Sequence, residues 1–140
     1  MNARYFSKST SRGFTLIEMS LVIFVLITLM TTGFYSSSVI GDWKKAREGS
    51  ETLRTVYVAQ RTFLADSPTT AVTSITPAML LPYLPNGLTT FPTAKALDGT
   101  RLYVRVNVSP PYLTATSGGT GGTKYDPSAS PTDSLWDVGE

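Results

Sequence analysis

Glu18 is the one charged residue between Phe14 and Tyr35, a run of 22 mostly apolar residues. An ionisable side chain in such a run is costly to place in lipid, about 2.5–3.5 kcal/mol at the centre of a membrane helix and less near its end. Two interpretations follow from these residues, and both stay open. The carboxylate lies near the membrane surface in the first helical turn, where the helix macrodipole favours an anion, or it pairs with a cation from a partner.

Catalytic chemistry is poorly supported by the composition. The chain has no Cys and no His, which excludes disulfides, zinc sites built on thiolate or imidazole, and Ser-His or Cys-His catalysis. It also lacks a phosphate-binding loop, and no spacing of its carboxylates and hydroxyls requires catalysis. We therefore expect a protein that is not an enzyme and that has no cofactor.

The apolar run itself predicts a membrane helix. A span of 14–35 has the length that an α-helix needs to cross the hydrocarbon core, and a helix satisfies every backbone polar group internally. It is longer than the 7–15 residues typical of a secretory signal, and no Ala-x-Ala site follows it. Cleavage at the small residues 36–38 is a weak alternative. Residues 1–13 form a basic leader carrying Arg4, Lys8 and Arg12.

The stretch Gly13-Phe14-Thr15-Leu16-Ile17-Glu18, between a basic leader and an apolar run, resembles the processing site of type IV prepilins and type II secretion pseudopilins. The resemblance covers about the first 50 residues. It implies that a prepilin peptidase cuts between Gly13 and Phe14, that Phe14 is then N-methylated, and that Glu18 neutralises the terminal amine of a neighbouring subunit. It further implies self-assembly, together with other pilin-like subunits, on an inner-membrane assembly platform.

The physical chemistry of these residues agrees with that role. An α-amine exposed at Phe14 has an unperturbed pKa near 8 and is mostly protonated at neutral pH. An ammonium and a carboxylate are each expensive alone in lipid, and much less so as a pair. A helix that satisfies its end only through a neighbour's charge has a reason to register against that neighbour.

Orientation and charge follow from the placement of the basic residues. Lys44, Lys45 and Arg47 follow the span, so the positive-inside rule is nearly tied, and only the resemblance implies a cytoplasmic leader with an extracytoplasmic C-terminal region. The net charge of +2 belongs to the leader, whose removal leaves nine basic and ten acidic residues. A near-neutral mature chain gives no electrostatic case for nucleic-acid binding.

Residues 36–66 are predicted to continue the helix as an amphipathic segment. Gly33 and Gly41 mark the place where it is expected to loosen, and no proline lies there, unlike in many family members. Pairs such as Arg47–Glu51 support the helix weakly. The apolar residues near helical spacing are Trp43, Ala46, Leu53, Val56, Tyr57, Phe63 and Leu64.

Residues 67–140 predict a small strand-rich region. Thr76-Pro77 is typical of a helix start, and Asp98-Gly99 predicts a hairpin turn. Residues 100–108 alternate as a half-buried strand, its partner with Pro92 suits an edge, and 112–116 predicts a third strand. The fold class is therefore α+β and pilin-like, with the long N-terminal helix packed on a small antiparallel sheet.

The last part of the chain predicts a flexible loop and an acidic tail. Residues 117–123 contain only Ser, Gly and Thr. The tail carries Asp126, Asp133, Asp137 and Glu140 without the spacing of a calcium loop, so no metal site is predicted. We expect a solvated tail with Trp136 packed on the sheet.

Two functions remain after these exclusions. The first is a structural subunit of a type IV pilus-like or type II secretion pseudopilus filament, with the small, cysteine-free chain leaning towards a pseudopilin or minor subunit. The second is a single-pass envelope binding module that is anchored in the membrane and does not polymerise.

Overall fold

The computed structural model describes residues 13–133 and 135–139, with the backbone alone at Asn86. The basic leader, apart from Gly13, lies outside the described residues, as does Glu140 of the acidic tail. The chain divides into an N-terminal unit that ends at Ser38 and a C-terminal unit that begins at Val39.

One helix dominates both units. Helix α1 runs over Leu16–Asp66 and contains 51 residues. Gly33 and Gly41 do not interrupt it, although the sequence predicts loosening there. Both glycines are free of close neighbours, so each costs only the intrinsic helix penalty of about 1 kcal/mol.

The second part of α1 buries a stripe of small and apolar residues. Its buried members are Ala46, Gly49, Ser50, Leu53, Val56, Ala59 and Gln60. The prediction that Trp43 lies on this apolar face is wrong, because Trp43 is 52% exposed. Gly49 takes a central place instead, since a Cβ there would lie 3.0 Å from Leu113 Cδ1 and 3.4 Å from Trp136 Cε3. Small residues let other parts of the core approach the helix closely.

The helix packs on a three-stranded antiparallel sheet of order β1-β2-β3, as the α+β prediction requires. The strands are β1 (Thr93–Lys95), β2 (Arg101–Arg105) and β3 (Tyr112–Thr114). In the register, Ala94 faces Leu102 and Val104 faces Leu113, and all four are buried. All three strands therefore supply core residues, and in β3 the neighbouring Leu113 and Thr114 are both buried.

Strand β2 is shorter than the predicted 100–108, and Gln60 gives the physical reason. The Gln60 Nε2 group donates to Val106 O and to Val108 O, each at 2.8 Å. The Val106 amide donates to Gly119 O at 2.8 Å. The polar groups that would extend the ladder are thus satisfied by the helix and by a loop.

The hairpin between β1 and β2 turns at Asp98-Gly99, as predicted. Gly99 adopts φ +88°, which is favourable only for glycine, and its amide donates to Ala96 O at 3.0 Å. The Asp98 carboxylate accepts the Thr100 amide at 2.8 Å, and this bond holds the pKa of Asp98 below its ordinary value. Strand β1, preceded by Pro92, is at the edge of the sheet as expected.

The connection between α1 and the sheet consists of short turns. Helix α2 (Pro77–Leu80) begins after Thr76, with the proline in its first turn as predicted. It gives way to a 3-10 turn over Leu81–Tyr83, because Pro82 has no N–H for a further helical bond. Ile75, Leu80 and Leu84 are buried and attach this connection to the core.

The end of the described chain docks on α1. Trp136 is 2% exposed, lies against the Gly49 position, and packs edge-on to Tyr125 with ring centroids 5.0 Å apart. Arg54 Nε donates to Val138 O at 3.0 Å. The prediction placed Trp136 on the sheet, whereas these contacts are with the helix and with Tyr125.

The Ser/Gly/Thr loop at 117–123, which its composition marks as flexible, is attached to the sheet at several carbonyl groups. Arg105 Nη1 donates to Gly122 O at 2.8 Å, and Asn107 Nδ2 donates to Thr120 O at 3.0 Å. Arg105 Nε also donates to Asn107 Oδ1 at 2.9 Å, so the two side chains act together. The side chains that hold the loop come from β2, from Asn107 just after it and from β3, since Tyr112 Oη also donates to Gly122 O at 3.1 Å.

Arg105→Ala should lower the free energy of unfolding by about 1–3 kcal/mol, because it leaves partly buried hydrogen-bonding groups without their charged donor. Arg101→Ala removes an exposed arginine from the same strand and should stay within about 0.5 kcal/mol of the wild type. Urea unfolding of the full chain in detergent measures both. Equal losses from the two variants would show that Arg105 does not stabilise the loop.

Candidate functional site

The predicted cleavage site lies directly before α1. Gly13, Phe14 and Thr15 are non-helical and exposed, and the helix begins at Leu16. An added Cβ at Gly13 would meet no atom within 4 Å, and the Phe14 side chain is 74% exposed. The Gly13–Phe14 peptide bond is therefore open to an enzyme in the described structure.

Thr15 caps the helix, which fixes where Glu18 lies. Thr15 Oγ1 accepts the Glu18 amide at 3.2 Å, and Thr15 O accepts the Met19 amide at 3.1 Å. A Thr followed three residues later by a Glu is the pattern of a capping box. This spacing is the sequence signal for the Thr15 cap, which the predictions for this stretch do not include. Glu18 thus occupies the first turn, beside the positive end of the helix dipole.

The Glu18 carboxylate points to no partner within the structure. Among residues 13–133 and 135–139, no cation lies within ion-pair distance of it. Its place in the capped first turn agrees with the dipole interpretation of the sequence. Pairing with a neighbouring molecule is the second interpretation, and it is compatible with a carboxylate that is exposed on the helix surface.

The surface around Glu18 is apolar and uncovered. Every residue from 13 to 40 is exposed, and large side chains such as Leu16 (89%) and Phe24 (69%) are almost fully so. The most apolar window of α1 has no buried residue, and its length and composition make it a candidate membrane span. Such a surface needs lipid or other protein to cover it.

Several hydroxyl groups in this span and just after it donate to carbonyls of the helix itself. Thr31 Oγ1 donates to Ile27 O at 2.8 Å, and Thr32 Oγ1 donates to Thr28 O at 2.9 Å. Ser20, Thr28 and Ser38 make equivalent bonds to carbonyls three or four residues earlier. Because these hydroxyls have internal acceptors, they need no water, which suits an apolar environment.

The acidic tail satisfies its carboxylates locally. Ser128 Oγ donates to Asp126 Oδ1 at 2.6 Å, and Lys124 Nζ lies 3.1 Å from Asp126 Oδ2. Burial raises the pKa of Asp126, but the bonds from Ser128 and Lys124 outweigh it and leave the pKa below its ordinary value. In the part of the chain that the structure describes, no group of three or more His, Cys, Asp or Glu residues could hold a metal ion.

Comparison of the chain with protein-family models, curated proteins and solved structures gave no match. The structure brings Gly13, Phe14 and Glu18 together at one helix start, on the end of a helix whose apolar surface is uncovered.

Proposed function

We propose that this protein is the structural subunit of a pilus-like or pseudopilus filament, cut between Gly13 and Phe14 and assembled through the apolar part of α1. One observation carries the proposal. The exposed apolar part of α1 begins two residues after Phe14, and its single carboxylate, Glu18, lies in the first turn.

The apolar surface of α1 is suited first to lipid and later to contact with the helices of other subunits. Burying a Leu, Ile, Val, Phe or Met side chain is worth about 1.5–3 kcal/mol, so the N-terminal unit is far more stable in lipid, or against other helices, than in water. The same side chains suit both surroundings because neither contains water. A subunit can therefore wait in the membrane and later pack among its copies.

Glu18 gives the helix a preference for one particular neighbour over lipid, which an apolar surface alone does not give. Lipid tails are as apolar as Leu, so apolar area alone does not drive helices together in a membrane. A carboxylate on one copy and the Phe14 amine on another offset each other's desolvation when they pair. The resemblance to prepilins supports this role, and the place of Glu18 near the helix start agrees with it.

The anchored, non-polymerising module is the second candidate, and one observation favours it. The C-terminal unit contains its own core, from Ala46 to Val138, and does not require other copies to bury it. A monomeric anchored protein would show the same core. It would have no need of an exposed Gly13–Phe14 bond or of a carboxylate in the span, and for this reason we prefer the filament subunit.

Processing is the first test. The membrane-extracted protein from its native host should begin at N-methylated Phe14, as determined by N-terminal sequencing and mass spectrometry. Gly13→Leu should retain the leader, and it should do so without harm to the fold because the structure leaves open space at Gly13. An intact Met1 in the wild type, or a cut near Ser38, would favour the anchored or secreted alternative.

A further inference from the structure

The C-terminal unit carries an apolar patch that its own core does not cover. Val39 and Ile40, the first residues of this unit, are each 52% exposed, and Trp43 is exposed to the same extent. Ile40, Trp43 and Arg47 are separated by three and four residues, so they share one face of α1. We call Val39, Ile40, Trp43, Lys44 and Arg47 the juxtamembrane face.

The polar groups of this face are arranged around the indole ring. The Arg47 guanidinium lies over the Trp43 ring, with its Cζ 5.5 Å from the ring centroid, and its Nε lies 3.3 Å from Glu51 Oε1. Lys44 is exposed and forms no ion pair with any described residue. Asp42 is paired instead with Lys45 at 3.6 Å.

A shallow cavity borders the same side of the helix. It has a volume of about 230 Å³ and is lined by Trp43, Arg47, Ser50, Glu51, Arg54 and Leu135. Three of the six lining residues are charged. The cavity therefore suits an occupant with both polar and apolar parts better than a purely apolar occupant. Trp43 and Arg47, which contact each other, both line the cavity.

We propose that the juxtamembrane face lies in the headgroup layer of a phospholipid bilayer, with Trp43 as its anchor. Tryptophan combines an apolar body with one N–H donor and is enriched where apolar and wet surroundings meet. Val39 and Ile40 come soon after the candidate span in the sequence, and the cations of Lys44 and Arg47 follow within seven residues. Phosphate groups match these cations.

Electrostatic attraction is not the main cause of this contact. Residues 42–51 contain three basic and three acidic side chains, so the segment has no net charge. Burial of the indole and of its aliphatic neighbours therefore has to supply the stabilisation. The proposal rests on the membrane insertion in the proposed function, and it is independent of cleavage and of polymerisation.

Depth-dependent quenching of tryptophan fluorescence tests the proposal. The full chain is reconstituted in phosphatidylcholine vesicles that carry a nitroxide either on the headgroup or near the bilayer centre. The headgroup label should quench the wild type more strongly than the central label. Trp43→Phe should lose most of that quenching, because the remaining Trp136 is 2% exposed and lies in the core.

A matched control places a tryptophan further along the same helix. Val58 is 64% exposed and comes 15 residues after Trp43, about 22 Å along an α-helix. In the Trp43→Phe background, Val58→Trp should show little quenching by either label. Equal quenching at both positions would mean that the helix lies flat on the bilayer, and it would overturn the proposal.

Two further outcomes would also overturn it. Wild-type protein that floats with the vesicles but shows no quenching of Trp43 is anchored by its span without the proposed contact, and the filament function stands. Protein that does not float with the vesicles lacks the membrane insertion itself, and then both proposals fail.

Discussion

Glu18→Ala is expected to leave the protein in the membrane and to abolish filament assembly. The substitution removes the one charge of the apolar run, which makes membrane insertion easier. It also leaves the Phe14 amine of each neighbouring subunit without a counter-charge, and an unpaired charge in apolar surroundings is strongly unfavourable. Sheared filaments should disappear from the cell surface fraction while the amount of membrane-extractable subunit stays at the wild-type level.

Two companion variants separate pairing from helix capping. Glu18→Gln keeps the size of the side chain and the backbone amide that Thr15 accepts, and removes only the charge. Thr15→Ala removes the cap, at a cost of about 0.5–2 kcal/mol of helix stability, and keeps the carboxylate. The pairing role predicts that Glu18→Gln fails to assemble and that Thr15→Ala still assembles. The reverse pattern would assign Glu18 to the helix start alone.

The sequence predicts best those features that depend on neighbouring residues. Asp98-Gly99 forms the expected turn, because a glycine at positive φ and an aspartate that accepts the Thr100 amide are both local requirements. The start of α2 after Thr76 is local in the same way. The apolar run likewise predicts its own helix, since a long stretch of such residues has no other way to satisfy its backbone in lipid.

The sequence predicts least well those features that depend on distant contacts. Glutamine side chains are mostly exposed in proteins, yet Gln60 is fully buried, and it ends β2 by donating to carbonyls 46 and 48 residues away. The large apolar side chain of Trp43 favours a place in the core, yet Trp43 is 52% exposed. The attachment of the glycine-rich loop also depends on a distant contact. Its donor, Arg105, lies 17 residues before Gly122, so the composition of the loop does not indicate the bond.

The candidate site likewise contains local features, which the sequence predicts, and a proposed contact that is not local. The positions of Gly13, Phe14 and Glu18 before and within the first turn follow from the helix start, which is local. The proposed counter-charge of Glu18 belongs to another subunit, so no residue of the same chain indicates it. The Thr15 cap is local too, and the spacing of Thr15 and Glu18 is the signal that indicates it.

Leu53→Ala is expected to cause a large loss of stability in the C-terminal unit. Leu53 is 0% exposed and belongs to the α1 stripe that joins the core of this unit. Truncation of a buried leucine costs about 2–5 kcal/mol, because apolar contacts are lost and a cavity remains. Domains of this size are stable by only about 5–15 kcal/mol, so the variant loses a large share of the total.

Val58→Ala is the matched control, because it truncates an aliphatic side chain five residues further along α1 that is 64% exposed. It should change stability by no more than about 0.5 kcal/mol. Urea unfolding of the full chain in detergent, followed by the fluorescence of buried Trp136, measures both variants in the unit that contains them. The candidate span lies in the other unit and in detergent should stay helical in each variant, so the helical circular-dichroism signal should fall only in part at the transition. A Leu53→Ala variant as stable as Val58→Ala would show that the helix does not pack on the sheet as described, and the loss of all helical signal at one transition would show that the two units unfold as one.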